Sequence, residues 1–81
     1  MSKQQAEITL SDGRIALIKA GKGKDAKEAL RISGGREDEY MNALMSRTVF
    51  IGGNPVVPEE LDELPMNDYI KIQTEFSEIN F

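Results

Sequence analysis

The fold of this chain is decided by residues 56–73, which read Val-Val-Pro-Glu-Glu-Leu-Asp-Glu-Leu-Pro-Met-Asn-Asp-Tyr-Ile-Lys-Ile-Gln. Pro58, followed by two glutamates, is typical of a first helical turn, because proline has no N–H to leave unpaired and acidic side chains favour the positive end of the helix dipole. Pro65 ends that helix after Leu64 and admits a second one from about Met66. The second helix has one apolar face, made of Tyr69, Ile72, Phe76 and Ile79. An acidic helix followed by an amphipathic one must therefore pack on an apolar surface.

A β-hairpin is predicted near the N-terminus, over residues 7–19. Polar and apolar residues alternate there around Asp12-Gly13, a dipeptide favoured in two-residue type I′ turns. That turn predicts one apolar face, with Leu10 opposite Ile15 and Ile8 opposite Leu17. Because an isolated two-stranded hairpin is marginally stable in water, this face must pack on helices or on a further strand.

A second hairpin is predicted over residues 49–57, from a β-branched and aromatic run, a Gly-Gly-Asn turn and a pair of valines. Pro55 has no N–H to donate and therefore favours an edge strand. The same pattern also fits a short loop with only fragmentary pairing.

Two helices are predicted between the hairpins. Asp25 and Glu28 form a capping-box pattern that starts the first helix, over residues 26–33, and Gly34-Gly35 ends it. Its inward-facing residues are expected to be Ala26, Ala29 and Leu30. The second helix begins with three acidic residues and ends near Arg47, which suits the helix dipole. Its apolar positions fit a period of 3.6: Tyr40, Met41, Leu44, Met45 and Thr48.

Together these elements predict an α+β fold in one small domain, residues 1–81. The N-terminal hairpin and the possible second hairpin are expected to pack on three or four short helices, preceded by a disordered tail over residues 1–6. A chain of this length can bury only a thin core.

The composition excludes several kinds of site. The chain has no Cys and no His, which removes disulfides, thiolate metal ligands and the usual general base. Glu60 and Glu63 are paired carboxylates at helical spacing, but such pairs are common on solvated helices. We therefore predict no enzyme, and assign no catalytic, cofactor-binding or metal-ligating residue. The absence of an apolar run behind Lys3, and of any long apolar segment, leads us to expect a cytoplasmic protein without a signal peptide or membrane span.

Charge is distributed unevenly along the chain, whose net charge is −4. Residues 1–36 carry eight basic and four acidic side chains, whereas residues 37–81 carry two basic and ten acidic ones. One interpretation is that the two halves complement each other within the fold or are simply solvated. The other is that they form oppositely charged surfaces, for different partners or for head-to-tail self-association.

Several motifs occur in a set order: Ile-Thr-Leu-Ser-Asp-Gly-Arg in the first hairpin, Asp-Glu-Tyr-Met at residues 38–41, Gly-Asn-Pro-Val-Val at 53–57, and Glu-Leu-Asp-Glu-Leu at 60–64 before Asp68-Tyr69. In this order they resemble the phage tail assembly chaperone family, small proteins encoded just upstream of the tape measure protein. The resemblance covers about residues 7–76. It implies a non-enzymatic role in the bacterial host cytoplasm: binding the tape measure protein during tail assembly, with the tail tube protein as a second partner.

The resemblance defines no binding residues, so the partner site is predicted on physical grounds. We expect the C-terminal helix to present Phe76, Ile79 and Phe81 to a helical client. The alternative at Phe76 is an ordinary core residue. Alternative functions are a structural component of the tail or virion, or a small regulatory or nucleic-acid-associated adaptor. No cofactor, small-molecule substrate or membrane partner is expected, and nucleic acid is disfavoured because the chain is acidic.

Overall fold

A computed structural model describes residues 4–81 and confirms the α+β fold. The elements, in chain order, are β1 (Gln5–Thr9), β2 (Ile15–Lys19), α1 (Gly23–Ser33), α2 (Glu37–Thr48), β3 (Val49–Ile51), β4 (Asn54–Pro55), α3 (Pro58–Asp62) and α4 (Met66–Asn80). The predicted tail over residues 1–6 is wrong at its end, because Gln5 and Ala6 belong to β1 and the Gln4 carbonyl accepts a hydrogen bond from the Ala20 N–H at 2.9 Å. Residues 1–3 lie outside the described part of the chain.

The four strands form one antiparallel sheet in the order β1-β2-β3-β4. Helix α4 packs against β1 and β2, while α2 contacts β3 and β4, so the helices cover one face, here called the inner face. Its buried strand residues are Ala16, Ile18, Val49 and Ile51. They meet Ile72, Phe76 and Ile79 of α4, which confirms the predicted apolar face of that helix. The core therefore lies between the sheet and the helices.

The register of the first hairpin differs from the prediction by one residue. Ile15 lies opposite Thr9, and Ala16 lies opposite Ile8. The Leu10 N–H donates to the Arg14 carbonyl at 2.8 Å, and the Gly13 N–H donates to the Leu10 carbonyl at 2.9 Å. These bonds, with a φ of +95° at Gly13 alone, close a three-residue loop in place of the predicted two-residue turn.

A one-residue shift exchanges the two faces of a strand, because side chains alternate with period two. The predicted apolar face is therefore wrong for Ile15 and Leu17, which point to the outer face of the sheet, away from α4. Ala16 and Ile18, which lie on the opposite face of β2 from Ile15 and Leu17, are fully buried. Leu10 is buried as predicted, because the loop folds it over the inner face.

Helix α1 also differs from the prediction at its start. It begins at Gly23, so Asp25 lies in the first turn, where its carboxylate accepts a hydrogen bond from the Lys22 N–H at 2.9 Å. Glu28 pairs with Arg31 and plays no part in the cap. Ala29 is buried as expected, but Leu30 is 56% exposed and its predicted inward position is wrong. Gly34 ends the helix in the left-handed conformation, with φ +64°, as predicted.

The second hairpin and the remaining helices follow their predictions closely. Gly52 and Gly53 have φ values of +60° and +83°, and they join β3 to the two-residue edge strand β4 in a tight turn. Pro55 lies in that edge strand, as its missing N–H requires. Helix α3 begins at Pro58 and ends at Asp62, two residues before the predicted end, and α4 begins at Met66.

Candidate functional site

The three residues predicted to contact a partner lie in different environments. Phe76 and Ile79 belong to the core, with exposed fractions of 2% and 8%, so neither is free to contact another protein. Phe81 is 78% exposed, and its ring meets the Phe76 ring edge-on with the centroids 5.8 Å apart. The partner site predicted on α4 is thus reduced to Phe81, for which partner binding stays a prediction.

Phe81 borders a cleft of about 280 Å³ between α1, α2 and the end of α4, here called the C-terminal cleft. Its apolar lining includes Ala26, Tyr40, Leu44 and Phe76. The Gly21 N–H donates to the Asn80 side-chain carbonyl at 2.7 Å, which ties the loop before α1 to α4. Because much of its lining is apolar, this cleft suits an apolar side chain of a partner.

The rim of the C-terminal cleft carries a charged pair. The Arg47 guanidinium lies 3.1 Å from the Asp25 carboxylate and joins the end of α2 to the start of α1. The Lys22 backbone N–H, and then Arg47, lower the pKa of Asp25 below its ordinary value. Asp25 therefore stays ionised near neutral pH and holds the first turn of α1.

A second apolar surface lies on the outer face of the sheet, where Ile15, Leu17, Phe50 and Pro55 form what we call the outer sheet patch. Leu17 lies directly opposite Phe50, and Phe50 opposite Pro55, so the three form a row across three strands. Ile15 lies beside this row and keeps 44% of its surface exposed. A shallow concavity of about 430 Å³ over the patch is lined by Ile15, Leu17, Phe50 and the Gly52-Gly53 turn.

The edges of the outer sheet patch are charged. The Lys19 ammonium lies 5.1 Å from the centre of the Phe50 ring, at cation–π distance. Glu7 lies opposite Leu17 on β1 and borders the concavity on the other side. An apolar centre with charged side chains at its margin is the usual composition of a protein-binding surface.

The sequence prediction missed the outer sheet patch because it placed Ile15 and Leu17 in the core. The signal was nevertheless present in β2, which reads Ile-Ala-Leu-Ile over residues 15–18 and is apolar on both of its faces. Antiparallel strands with one solvated face normally alternate apolar and polar residues. A strand that is apolar throughout indicates that both of its faces are covered, at least some of the time.

The buried polar groups of the described residues are engaged in structural bonds. Asp68 is almost completely buried and accepts hydrogen bonds from the Ser11 N–H, at 3.1 and 3.2 Å, and from the Ser11 hydroxyl, at 2.7 Å. The Tyr69 hydroxyl donates to the Asn42 side-chain carbonyl, and the Asn42 amide donates to Asp62 at 2.6 Å. Burial, and then the Asp62 carboxylate, raise the pKa of Tyr69. These bonds connect the first hairpin, α2, α3 and α4.

No family model, curated protein or solved structure matches this chain significantly. Across residues 4–81, no three acidic side chains come together in a way that could hold a metal ion. None of the helices in the same range is long and apolar enough to cross a membrane. The outer sheet patch and the C-terminal cleft are thus the candidate functional surfaces.

Proposed function

We propose that this protein is a non-enzymatic, client-binding protein of the phage tail assembly chaperone kind, and that the outer sheet patch receives a helix of the tape measure protein. The observation that carries the proposal is the row of Leu17, Phe50 and Pro55, with Ile15 beside it, on the sheet face opposite the helices. The ordered motifs that resemble this family support the identity of the client.

The apolar sheet face suits a client helix. A helix with apolar residues at every third or fourth position presents a continuous stripe, and such a stripe packs on a sheet face as α4 does on the inner side. A bound client helix would therefore complete a helix–sheet–helix arrangement. By covering apolar stripes of a long helical client, the protein would keep client chains from associating before the tail tube assembles around them.

The affinity would come from a few apolar anchors, and the charges at the margin would tune the rate of association. Ile15, Leu17 and Phe50 are the anchors, since each combines an apolar side chain with partial exposure. Lys19 and Glu7 lie at the margin, where substitution changes association rate and salt dependence more than affinity.

Co-expression with a phage tape measure protein, followed by affinity purification and calorimetric titration, tests the proposal. Ile15→Thr keeps a β-branched side chain in β2 but removes the apolar tip, and we expect it to weaken client binding about tenfold, equivalent to about 1.4 kcal/mol. Ile70→Thr is the matched control, because Ile70 is 50% exposed on α4 and lies outside the patch. No complex with the wild-type protein at moderate salt, or equal losses in both variants, would contradict the proposal.

A second candidate surface is the C-terminal cleft, which the 78% exposure of Phe81 favours. In the same titration, Phe81→Ala distinguishes client binding at the C-terminal cleft from client binding at the outer sheet patch. If Phe81→Ala weakens binding and Ile15→Thr does not, the client binds at the cleft.

Mass spectrometry of purified particles addresses the alternative of a structural tail component, since an assembly chaperone is absent from finished virions and a structural protein is present.

A further inference from the structure

The uneven charge of the sequence produces a basic surface on α1. Lys24, Lys27 and Arg31 follow one another at helical spacing and form a single stripe on the solvent side of this helix. Leu30, which is 56% exposed, lies next to Lys27 along the edge of that stripe. We call these four residues the basic face. On this face the Leu30 side chain projects into solvent with positive charges beside it.

An acidic surface of opposite charge lies at α3. A concavity of about 340 Å³ there is lined by the apolar residues Ile51, Leu64 and Pro65. It is also lined by three glutamates, Glu59, Glu60 and Glu63. Arg14 lines it too, but its guanidinium is paired with Asp12 at 2.6 Å. We call this concavity the acidic pocket.

The two surfaces do not neutralise each other within one molecule. Helices α1 and α3 each pack against α2. The ion pairs formed among residues 4–81 join Arg14 to Asp12, Arg31 to Glu28, and Arg47 to Asp25, so none of them joins α1 to α3. Direct ion pairing between α1 and α3 therefore does not account for these two surfaces, which are either solvated or available to a partner.

We propose that the basic face of one copy of this chain docks into the acidic pocket of the next, with Leu30 inserted between the glutamates. The apolar side chain would contact Ile51, Leu64 and Pro65, while Lys27 meets the carboxylates that line the pocket. Arg31, which is paired with Glu28 on its own helix, would lie beside them. A buried apolar centre with charge pairs around it is the usual arrangement of a specific interface.

This contact joins two different surfaces, so it leaves one of each free on every pair of molecules. A head-to-tail contact of this kind continues to add copies and gives open chains, or a ring if the rotation closes. It uses neither the outer sheet patch nor the C-terminal cleft. Several copies in a row could therefore each hold a segment of one long client, although the self-association is independent of that function.

Sedimentation velocity of the purified protein tests the association across a range of concentrations, in about 0.01 M and about 0.5 M salt, where charge interactions are weakly and strongly screened respectively. We expect the average mass of the 9.0 kDa chain to rise with concentration beyond that of a dimer in low salt, and to fall in high salt. Lys27→Glu and Glu63→Lys should each weaken the association at least tenfold. Lys71→Glu, an exposed lysine of α4 outside both surfaces, is the control and should associate like the wild type.

A mixture of the two variants distinguishes this contact from a symmetric one. Lys27→Glu retains an intact acidic pocket, and Glu63→Lys retains an intact basic face, so the mixture should form one-to-one pairs that do not grow further. Leu30→Glu provides a second variant of the basic face and should behave as Lys27→Glu does, with far-UV circular dichroism verifying the fold of each. A wild-type protein that stays monomeric in low salt, or a mixture that stays monomeric, would overturn the proposal. Binding of a basic amphipathic helical peptide to the pocket of a monomeric wild type would do the same, and would assign the pocket to a different partner.

Discussion

The inner and outer faces of the sheet carry similar side chains in very different environments. In β2, Ile18 on the inner face is fully buried, whereas Ile15 on the outer face keeps 44% of its surface in solvent. Both are isoleucines of the same strand, three positions apart, so hydrophobicity alone does not distinguish them. The register of β2 against its neighbours decides which of the two enters the core. The inner face accounts for the stability of the domain, and the outer face is available for binding.

The largest expected effect is on the inner face. Ile18→Ala should reduce the free energy of unfolding by about 2–5 kcal/mol, because it removes buried methyl groups and leaves a cavity. Ile15→Ala is the matched change on the outer face and should cost about 1 kcal/mol or less, since that side chain is already partly solvated. Urea unfolding followed by circular dichroism measures both. Equal losses in the two variants would show that the faces are not as different as described.

The next effect concerns the bond that fixes the first hairpin over the inner face. Asp68→Ala should cost about 1–3 kcal/mol, because it removes the acceptor of the Ser11 N–H and hydroxyl hydrogen bonds in a buried position. Asn67→Ala is the control, since Asn67 is the exposed neighbour on α4. Chemical unfolding of both variants gives the comparison. A loss in Asn67→Ala as large as that in Asp68→Ala would mean that the helix, and not the hydrogen bonds, is responsible.

A smaller effect is expected at the tight turn that sets the register of β3 and β4. Gly53 has a φ of +83°, so Gly53→Ala forces a side chain into the left-handed region and should cost about 1 kcal/mol. Gly23→Ala is the opposite case, because Gly23 lies in α1 with an ordinary φ and no atom within 4 Å of the position that an added Cβ would occupy. Thermal unfolding should show a lower midpoint for Gly53→Ala than for the wild type, and no decrease for Gly23→Ala. A Gly53→Ala variant as stable as the wild type would contradict the role of the turn in setting the register of β3 and β4, and with it the face on which each side chain lies.

The smallest effect is a pH dependence on the helical side of the core, at Tyr69. The pKa of Tyr69 is raised in the folded state by burial and by Asp62, so its contribution to stability is complete below its unfolded pKa of about 10 and is lost as the pH rises through the folded value. Absorbance titration of Tyr40→Phe isolates Tyr69 and should give a pKa above 10. The double variant Tyr40→Phe/Tyr69→Phe should lack this loss of stability at high pH. A pKa at the ordinary value would mean that Tyr69 is solvated.

The sequence predicts the helical layer better than the sheet. Proline and glycine act locally, so Pro58, Pro65 and Gly34 mark helix boundaries that the structure confirms within about two residues. The register of β1 against β2 depends on a single loop, and Asp12-Gly13 fits either a two-residue or a three-residue connection. Choosing the wrong one exchanged the two faces and concealed the outer sheet patch. The burial of Phe76 likewise depends on which residues cover α4, and this is a tertiary property that periodicity does not contain.

The two ends of the sheet also differ, in a way that bears on growth by strand addition. Strand β4 is two residues long and contains Pro55, which offers no N–H to an incoming chain. Strand β1 spans five residues at the opposite edge and contains neither proline nor lysine. The sheet can thus be extended by an added strand at β1 but not at β4, so fibrillar aggregation of the folded domain should start along β1. Glu7 is the one charged side chain of β1 that opposes such aggregation.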